Sequence, residues 1–481
     1  MATLTSLPAE LLLLTTSHLD NQKDILNLAS TTRALHALLY PHAFTSLILD
    51  EGSVYQLTRL VHVLARNPHC ARAVRILQFD DLPRVGSRVR KEEKVKYDPE
   101  VIRPVLERMA SALSSSSNTM VAKWEDVLRT GDDTEPWIAL ILTLVPNVED
   151  LSLTFNYLSF YIRKLFSMMD TATETGGASS ALPGPGSPTK EPQPLVLFSR
   201  LRTLSARWYD TENGVSSSYL LPFFRLPSLR EFNGVSITDG RPADEYELRG
   251  DGPPEDCYYY DEDEEPYPEY DEDPEGYFRR YPGDEGFSNV THITLSDSNS
   301  EHGFPDLIRA CRRLVSFVYE HGERGGTLGW FAPRRFHGSL CKHKDWLEEL
   351  TICYDNWACG HGDPLESEFI GSFKDFKTLK RLRLRGENIL VREGKMPFDL
   401  LPPSLESLLI EEFAADNGQN LLGQLRELRS VVELQCPNLV SLRVAGYSGE
   451  TQPQEDGWPR YLEPTRGDAG ETCAIELVDC A

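Results

Sequence analysis

The chain has 481 residues, of which 40% are hydrophobic and 26% are charged, a composition typical of a folded globular protein. The longest apolar runs, residues 11–14 and 138–145, are far shorter than the ~20 residues that cross a bilayer. A net charge of −25 disfavours binding to nucleic acids and to anionic membranes. Nine dispersed cysteines and the lack of a basic N-terminal leader predict reduced thiols in a cytoplasmic or nuclear protein.

Residues 5–44 have the pattern of three short helices. The leucines at 11–14 step round a helix at ~100° each, so most of its circumference is apolar. Asp24 is placed to open a second helix, and Thr31 or Thr32 is placed to cap a third. So small a unit cannot bury apolar surface all round. We therefore expect the surplus to pack either on the rest of the chain or on another protein.

The order of these residues resembles an F-box. That pattern runs Leu-Pro-x-Glu-Leu-Leu, a later leucine, an Asp-Leu-Leu-x-Leu segment, and an arginine before an apolar residue. The matching residues are Leu7, Pro8, Glu10, Leu11, Leu12, Leu19, Asp24, Ile25, Leu26, Leu28, Arg33 and Leu35. The resemblance implies a three-helix F-box module over residues 1–45. It also implies docking to the small adaptor subunit of an SCF-type cullin-RING ubiquitin ligase and, through it, to a cullin.

The same resemblance implies which side chains contact the adaptor or support that contact. These adaptor-binding residues are Leu7, Pro8, Leu11, Leu12, Ile25, Leu28 and Leu35.

A repeated unit follows the N-terminal helices: an apolar residue, two others, an apolar residue, one other, and an apolar residue. Ten copies occur, and their middle residues are Leu77, Leu151, Leu204, Phe232, Ile293, Phe317, Leu350, Leu382, Leu408 and Leu442. Most neighbouring copies are 24–34 residues apart, and four are preceded by proline, which ends a helix and favours extended backbone. The last two apolar positions of each copy then lie on one face of a short strand.

Helical segments fit between these strands, at residues 53–65, 136–144, 303–311 and 420–428. A strand and a helix every 24–34 residues predict an α/β solenoid in which each unit buries its apolar face against its neighbours. The pattern resembles an irregular leucine-rich-repeat array of the fungal type. We assign this array to residues 46–450, followed by a C-terminal tail over residues 451–481.

Two insertions interrupt the array. Residues 171–194 are rich in Gly, Ser, Thr and Pro, so we predict a disordered loop there. Residues 239–286 contain eight tyrosines and a dense acidic run, with 18 acidic and 3 basic residues between Asp244 and Glu285. Like charges at this density oppose compaction, which predicts a solvated insertion or a contact for a basic partner.

The sequence contains no phosphate-binding loop, nucleophile elbow or metalloprotease motif, so we expect neither an enzyme nor a cofactor. Zinc ligands of the right chemistry are present in Cys341, His343, Cys353, Cys359 and His361. Their spacing is not that of a recognised zinc site, and ordinary core cysteines and surface histidines account for them.

We therefore predict a substrate-recognition subunit of an SCF-type ubiquitin ligase, which recruits a protein target through its repeats. The alternative is a repeat scaffold with no link to ubiquitin. Aromatic side chains on the array are candidate anchors for a target because Trp and Tyr dominate binding hot spots, although core packing explains each equally well. They are Trp208, Tyr209, Trp330, Phe331, Tyr354 and Trp357.

Overall fold

The structure of the chain is a computed structural model. It describes residues 7–19, 21–49, 54–79, 97–112, 117–131, 134–155, 161–162, 165–166, 197–209, 214–239, 285–322, 331, 333–354, 369–389, 400–411, 436–446 and 474–479.

Three short helices open the chain: α1 (Ala9–Thr16), α2 (Gln22–Ser30) and α3 (Arg33–Leu39). The Thr32 side chain accepts a hydrogen bond from the backbone N–H of Leu35, as one of the two predicted caps requires. Asn21, rather than Asp24, caps α2 by accepting from Lys23 N at 2.8 Å, and Asp24 lies in the first turn. A 3₁₀ turn, Pro41–Phe44, then leads into the first strand.

Twelve strands of the described chain form one parallel sheet in chain order, and two more form a small second sheet. The strands are β1 (Ser46–Leu49), β2 (Ile76–Phe79), β3 (Asp150–Phe155), β4 (Thr203–Trp208), β5 (Val215–Ser216), β6 (Glu231–Val235), β7 (Ile237–Thr238), β8 (His292–Ser298), β9 (Ser316–His321), β10 (Glu349–Tyr354), β11 (Arg381–Arg385), β12 (Ser407–Glu411), β13 (Ser441–Gly446) and β14 (Ala474–Asp479). The small sheet pairs β5 with β7.

The predicted α/β repeat fold is confirmed by the register of this sheet. All ten predicted middle residues lie opposite one another across neighbouring strands, from Leu77 in β2 to Leu442 in β13. Each is at most 2% exposed. Leu47 of β1 and Ile475 of β14 extend the same row at its two ends. The strands from β1 to β13 therefore share one continuous core.

Nine helices of the described chain accompany the sheet: α4 (Val54–Arg66), α5 (Pro68–Ala73), α6 (Pro99–Ala112), α7 (Ser117–Thr130), α8 (Glu135–Leu144), α9 (Leu221–Phe224), α10 (Pro305–Ala310), α11 (Pro333–Leu340) and α12 (Gly386–Ile389). Three of the four predicted helices are present as α4, α8 and α10, and the fourth, 420–428, lies outside the described residues. Helices α6 and α7 were not predicted. No helix in this part of the chain is long and apolar enough to cross a membrane.

A repeated hydrogen bond joins the turns that precede the strands. The side-chain amide of Asn147 donates to the carbonyl oxygen of Arg72 at 2.8 Å. Asn289 donates to Pro227 O, and Asn438 donates to Pro403 O, both at 3.0 Å. Donor and acceptor occupy the same repeat positions in all three cases, so polar side chains hold adjacent turns in line where the sheet hydrogen bonds end.

The structure corrects the predicted ends of two segments. Asp239, placed in the solvated insertion, is buried and accepts hydrogen bonds from Ser300 Oγ and Phe304 N, both at 2.7 Å. Its carboxylate thereby accepts hydrogen bonds from the turn that precedes α10. Apart from Glu285 and Gly286, the rest of both insertions lies outside the described residues. Strand β14 lies within the predicted C-terminal tail and pairs in parallel with β13.

The three N-terminal helices have a small core of their own. Leu12, Ala29, Leu35 and Leu39 form a cluster separate from the continuous core of the array. The 3₁₀ turn links the two, because Phe44 packs on the array core while Gln22 Nε2 donates to Ala43 O. The helices therefore form a separate small unit at the first strand of the array.

A glycine occupies one repeat slot that is otherwise apolar. Gly234 of β6 lies opposite Ala206 of β4 and Leu295 of β8. A Cβ at this position would overlap Cγ1 of Ile237 and lie 2.8 Å from Cδ2 of Leu295. The side chain of Ile237 thus fills the space that a repeat side chain occupies elsewhere.

We predict that Gly234→Ala lowers the free energy of unfolding by about 1–3 kcal/mol, since the core is already filled there. Gly338→Ala is the matched control, because a Cβ at this helical position meets nothing within 4 Å and should stabilise by about 0.5–1 kcal/mol. Urea unfolding followed by circular dichroism measures both. Equal stability of Gly234→Ala and the wild type would contradict the packing account.

Candidate interaction surfaces

Four leucines of the N-terminal helical unit are exposed to solvent. Leu7 is 36% exposed, Leu11 47%, Leu14 58% and Leu26 37%. The opposite face of α1 carries Leu12, which is 6% exposed and lies in the small core. We call the four exposed leucines the leucine face. It is the apolar surplus that three short helices were expected to leave.

The structure separates the predicted adaptor-binding residues into three groups. Leu7, Pro8 and Leu11 are exposed on or beside the leucine face. Ile25 and Leu28 are half-buried and pack against the small core. Leu12 and Leu35 are buried within it, so they support the helices and do not offer a contact surface in this structure.

Two members of the leucine face were not among the predicted site residues. Leu7, Leu11 and Leu14 are spaced by four and three residues, the periodicity of a single helical stripe. That spacing identifies Leu14 from the sequence. Leu26 becomes recognisable only when the packing of α2 is known, because its neighbours Ile25 and Leu28 turn toward the core.

The second surface is the outward side of the parallel sheet. Residues between the buried repeat positions alternate to this side, where they form rows across the strands. One row contains Asp150, Thr203, Glu231, His292, Ser316, Glu349, Arg381 and Ser407. These side chains are polar or charged, so this row offers hydrogen-bonding groups rather than apolar area.

Charge is distributed unevenly along this surface. Arg381 Nη2 pairs with Glu349 Oε2 at 3.1 Å, which lowers the pKa of that carboxyl, and Arg383 Nε pairs with Glu411 Oε2 at 2.9 Å. Toward the other end, burial and then the nearby Glu231 carboxylate raise the pKa of Asp150. The surface is therefore ion-paired near β10–β12 and acidic near β3–β6.

A family model described as a leucine-rich repeat domain matches residues 50–249 and 283–450, which is well over half of the chain. The chain belongs to the leucine-rich repeat family. The match begins after α1–α3, and its gap falls within the predicted acidic insertion. No curated protein matches the chain significantly. Membership of this family indicates a protein-interaction scaffold, consistent with the open polar face of the sheet.

Of the six aromatic anchors proposed for the leucine-rich repeat domain, the three whose side chains are described are buried or half-buried. Trp208 and Phe331 are buried in the array core, and Tyr209 packs partly against it. The side chain of Tyr354 and all of Trp330 and Trp357 lie outside the described residues. Of the two readings left open by the sequence, core packing holds for Trp208 and Phe331, and the reading as exposed anchors does not. Trp346, 45% exposed, was missed.

His343, one of the residues considered as zinc ligands, has other contacts. His343 Nε2 donates to the carbonyl oxygen of Ile308 at 2.9 Å, while Nδ1 accepts from Leu314 N at 3.3 Å. Both ring nitrogens are thus occupied. The described residues contain no group of three metal-binding side chains, and Cys359 and His361 lie outside them.

A buried polar cluster lies in the core of the leucine-rich repeat domain at the end of β9. The Tyr319 hydroxyl donates to Ser298 O at 3.0 Å, and its oxygen lies 2.6 Å from Nδ1 of His321. Since the carbonyl can only accept, the hydroxyl oxygen is left to accept from Nδ1–H of a neutral imidazole. Burial, and next the Arg385 cation, lower the pKa of His321 to about 4.

We predict that acid destabilises the domain through His321. The ordinary pKa of histidine is ~6.5, so between pH 6.5 and about 4 the unfolded chain binds a proton that the folded chain does not. The stabilisation is complete above pH 6.5 and falls with decreasing pH, by up to about 1.4 kcal/mol per pH unit.

Urea unfolding at pH 7.5, 6 and 5 measures this slope for the wild type and for His321→Gln. The variant should lose less stability than the wild type over the same interval, although its stability at neutral pH is lower. Identical slopes in the two proteins would rule out the assigned role of His321.

Proposed function

We propose that this chain is the substrate-recognition subunit of an SCF-type cullin-RING ubiquitin ligase. Helices α1–α3 dock the small adaptor subunit and, through it, a cullin, while the leucine-rich repeat domain recruits a protein target. The chain contributes positioning, and its ligase partners carry out ubiquitin transfer. No catalytic residue, cofactor, nucleic acid or membrane has a part in this proposal, and the site of action is cytoplasmic or nuclear.

The observation that carries the proposal is the leucine face. Leu11 and Leu14 lie on one stripe of α1 and Leu7 lies just before the helix; all three remain exposed, although the small core is closed. Contiguous exposed leucines on a small helical unit are typical of a protein-binding surface. Their positions coincide with the start of the F-box pattern, at Leu7, Pro8 and Leu11.

The array core and the small core of α1–α3 are separate. The array core closes on itself through the sheet, and α1–α3 contact it chiefly through the 3₁₀ turn Pro41–Phe44. The leucine face is therefore not used by the repeats. Complete burial of one leucine side chain contributes about 1.5–3 kcal/mol, so a partner that covers several of them gains substantial affinity.

The alternative role is that of a repeat scaffold with no link to ubiquitin. The repeat family and the polar face of the sheet support that reading equally well. The two readings differ only in what covers the leucine face, which makes that face the place to test them.

We predict that Leu11→Asp with Leu14→Asp abolishes recovery of adaptor and cullin when the tagged full chain is purified from cells. Placing two carboxylates on the stripe removes its apolar area and opposes burial. A loss of at least about 3 kcal/mol, or more than a hundredfold in affinity, is expected.

Ile48→Asp with Val440→Asp is the matched control. These residues are 54% and 55% exposed, as open to solvent as Leu11 and Leu14, but they lie on the array. The control should recover adaptor and cullin like the wild type, and circular dichroism should show that both double variants fold. If the intact protein recovers neither adaptor nor cullin, the ligase reading fails and the scaffold reading stands.

A further inference from the structure

The turns that lead into the strands form one edge of the array, and this edge carries an unexpected charge. We define the turn edge as residues 199–202, 227–230, 285–291, 311–315, 341–348 and 374–380, which precede the adjacent strands β4, β6, β8, β9, β10 and β11. These segments contain ten basic and four acidic residues, whereas the whole chain has a net charge of −25. The acidic character of the protein is thus reversed along this edge.

The backbone holds the edge in a line. Beyond the strands, Arg230 N donates to Arg202 O and Lys380 N donates to Glu348 O, both at 2.9 Å. The Asn289 side chain adds its bond to Pro227 O. Neighbouring strands are ~4.8 Å apart, so the six turns span some 25 Å. Five of them carry the cations, and the turn 285–291 carries none.

Most of these cations are not neutralised by their neighbours. Lys342, Lys377 and Lys380 pair with Glu285, Asp345 and Glu348 at 3.0, 2.6 and 2.9 Å. The remaining seven form no ion pair within the described residues. They are Arg200, Arg202, Arg230, Arg312, Arg313, Lys344 and Lys374, and all are exposed.

An apolar group lies among the cations. Trp346 is 45% exposed, and the Arg313 guanidinium lies over its ring, 4.6 Å from the centroid. A partner on this edge therefore meets aromatic area as well as positive charge. Trp and Arg are among the residue types most enriched in binding hot spots.

A contact within the turn edge shows which chemical groups this surface binds. Glu285 Oε2 pairs with Lys342 Nζ, and the next residue, Gly286, accepts from Arg312 Nε at 2.8 Å through its carbonyl oxygen. Gly286 N in turn donates to Arg309 O at 2.9 Å. Carboxylate and backbone groups of a polypeptide are thus both satisfied at this position.

We propose that the turn edge is a binding surface for an extended acidic segment of a protein partner. Carboxylates along such a segment meet the line of cations, while its apolar side chains contact Trp346. An extended chain fits because the turns that carry the cations follow one another across adjacent strands, and opposite charge favours acidic side chains there. The surface lies on the array, so it is independent of the adaptor docking proposed for α1–α3.

Fluorescence anisotropy of the full chain with a fluorescein-labelled peptide of about a dozen glutamates tests this proposal; in extended form the peptide spans the six strands. The wild type should bind it, with affinity falling as salt rises. Arg313→Glu with Lys344→Glu and Lys374→Glu should weaken binding at least about tenfold. Arg59→Glu with Arg108→Glu and Lys123→Glu makes the same change of charge on the helices and should leave binding unchanged.

Three outcomes would overturn the proposal. They are no binding by the wild type, an equal loss in both triple variants, and tighter binding of a single-stranded oligothymidylate of equal length that is weakened by the same substitutions. The last result would assign the edge to a nucleic acid.

Discussion

The structure depends on one constraint, which is that no repeat unit can bury its own apolar residues. Each strand turns two apolar side chains inward, and only the strands and helices on either side can cover them. The row from Leu77 to Leu442 is the result, since each member is buried between its counterparts in adjacent strands. Where one slot lacks a side chain, at Gly234, a neighbouring isoleucine fills it.

That constraint determines which surfaces are available for binding. Inward side chains are committed to packing, so the array binds through its exposed surfaces, among them the outward side of the sheet and the edge formed by the turns. The three N-terminal helices are not part of the row and have a core of only a few residues. Their leucine face is left outside both cores, which is why a partner is inferred there and not on the aromatic residues of the array.

The sequence predicts the repeats well because their spacing is a direct consequence of strand geometry. It misses β14, since a single alternating segment in a tail cannot be recognised without the neighbouring strand. Helices α6 and α7 are missed because they lie in the long gap between two repeats, where the repeat spacing does not predict a helix. Burial of Trp208 and Phe331 depends on contacts across repeats, which spacing does not reveal.

The leucine face could be predicted in part. Leu7, Pro8 and Leu11 follow from the sequence pattern, whereas the burial of Leu12 and Leu35 requires the packing of three helices. The basic turn edge could not be recognised in a chain with a net charge of −25, because its arginines and lysines come together only when six repeats are stacked.

Hydrogen exchange of the full chain with and without the purified adaptor subunit tests whether α1–α3 dock the adaptor. We predict slower exchange in α1 and α2 on addition of the adaptor, with the strands of the array unchanged. Unchanged exchange throughout α1–α3, or protection confined to the array, would contradict it.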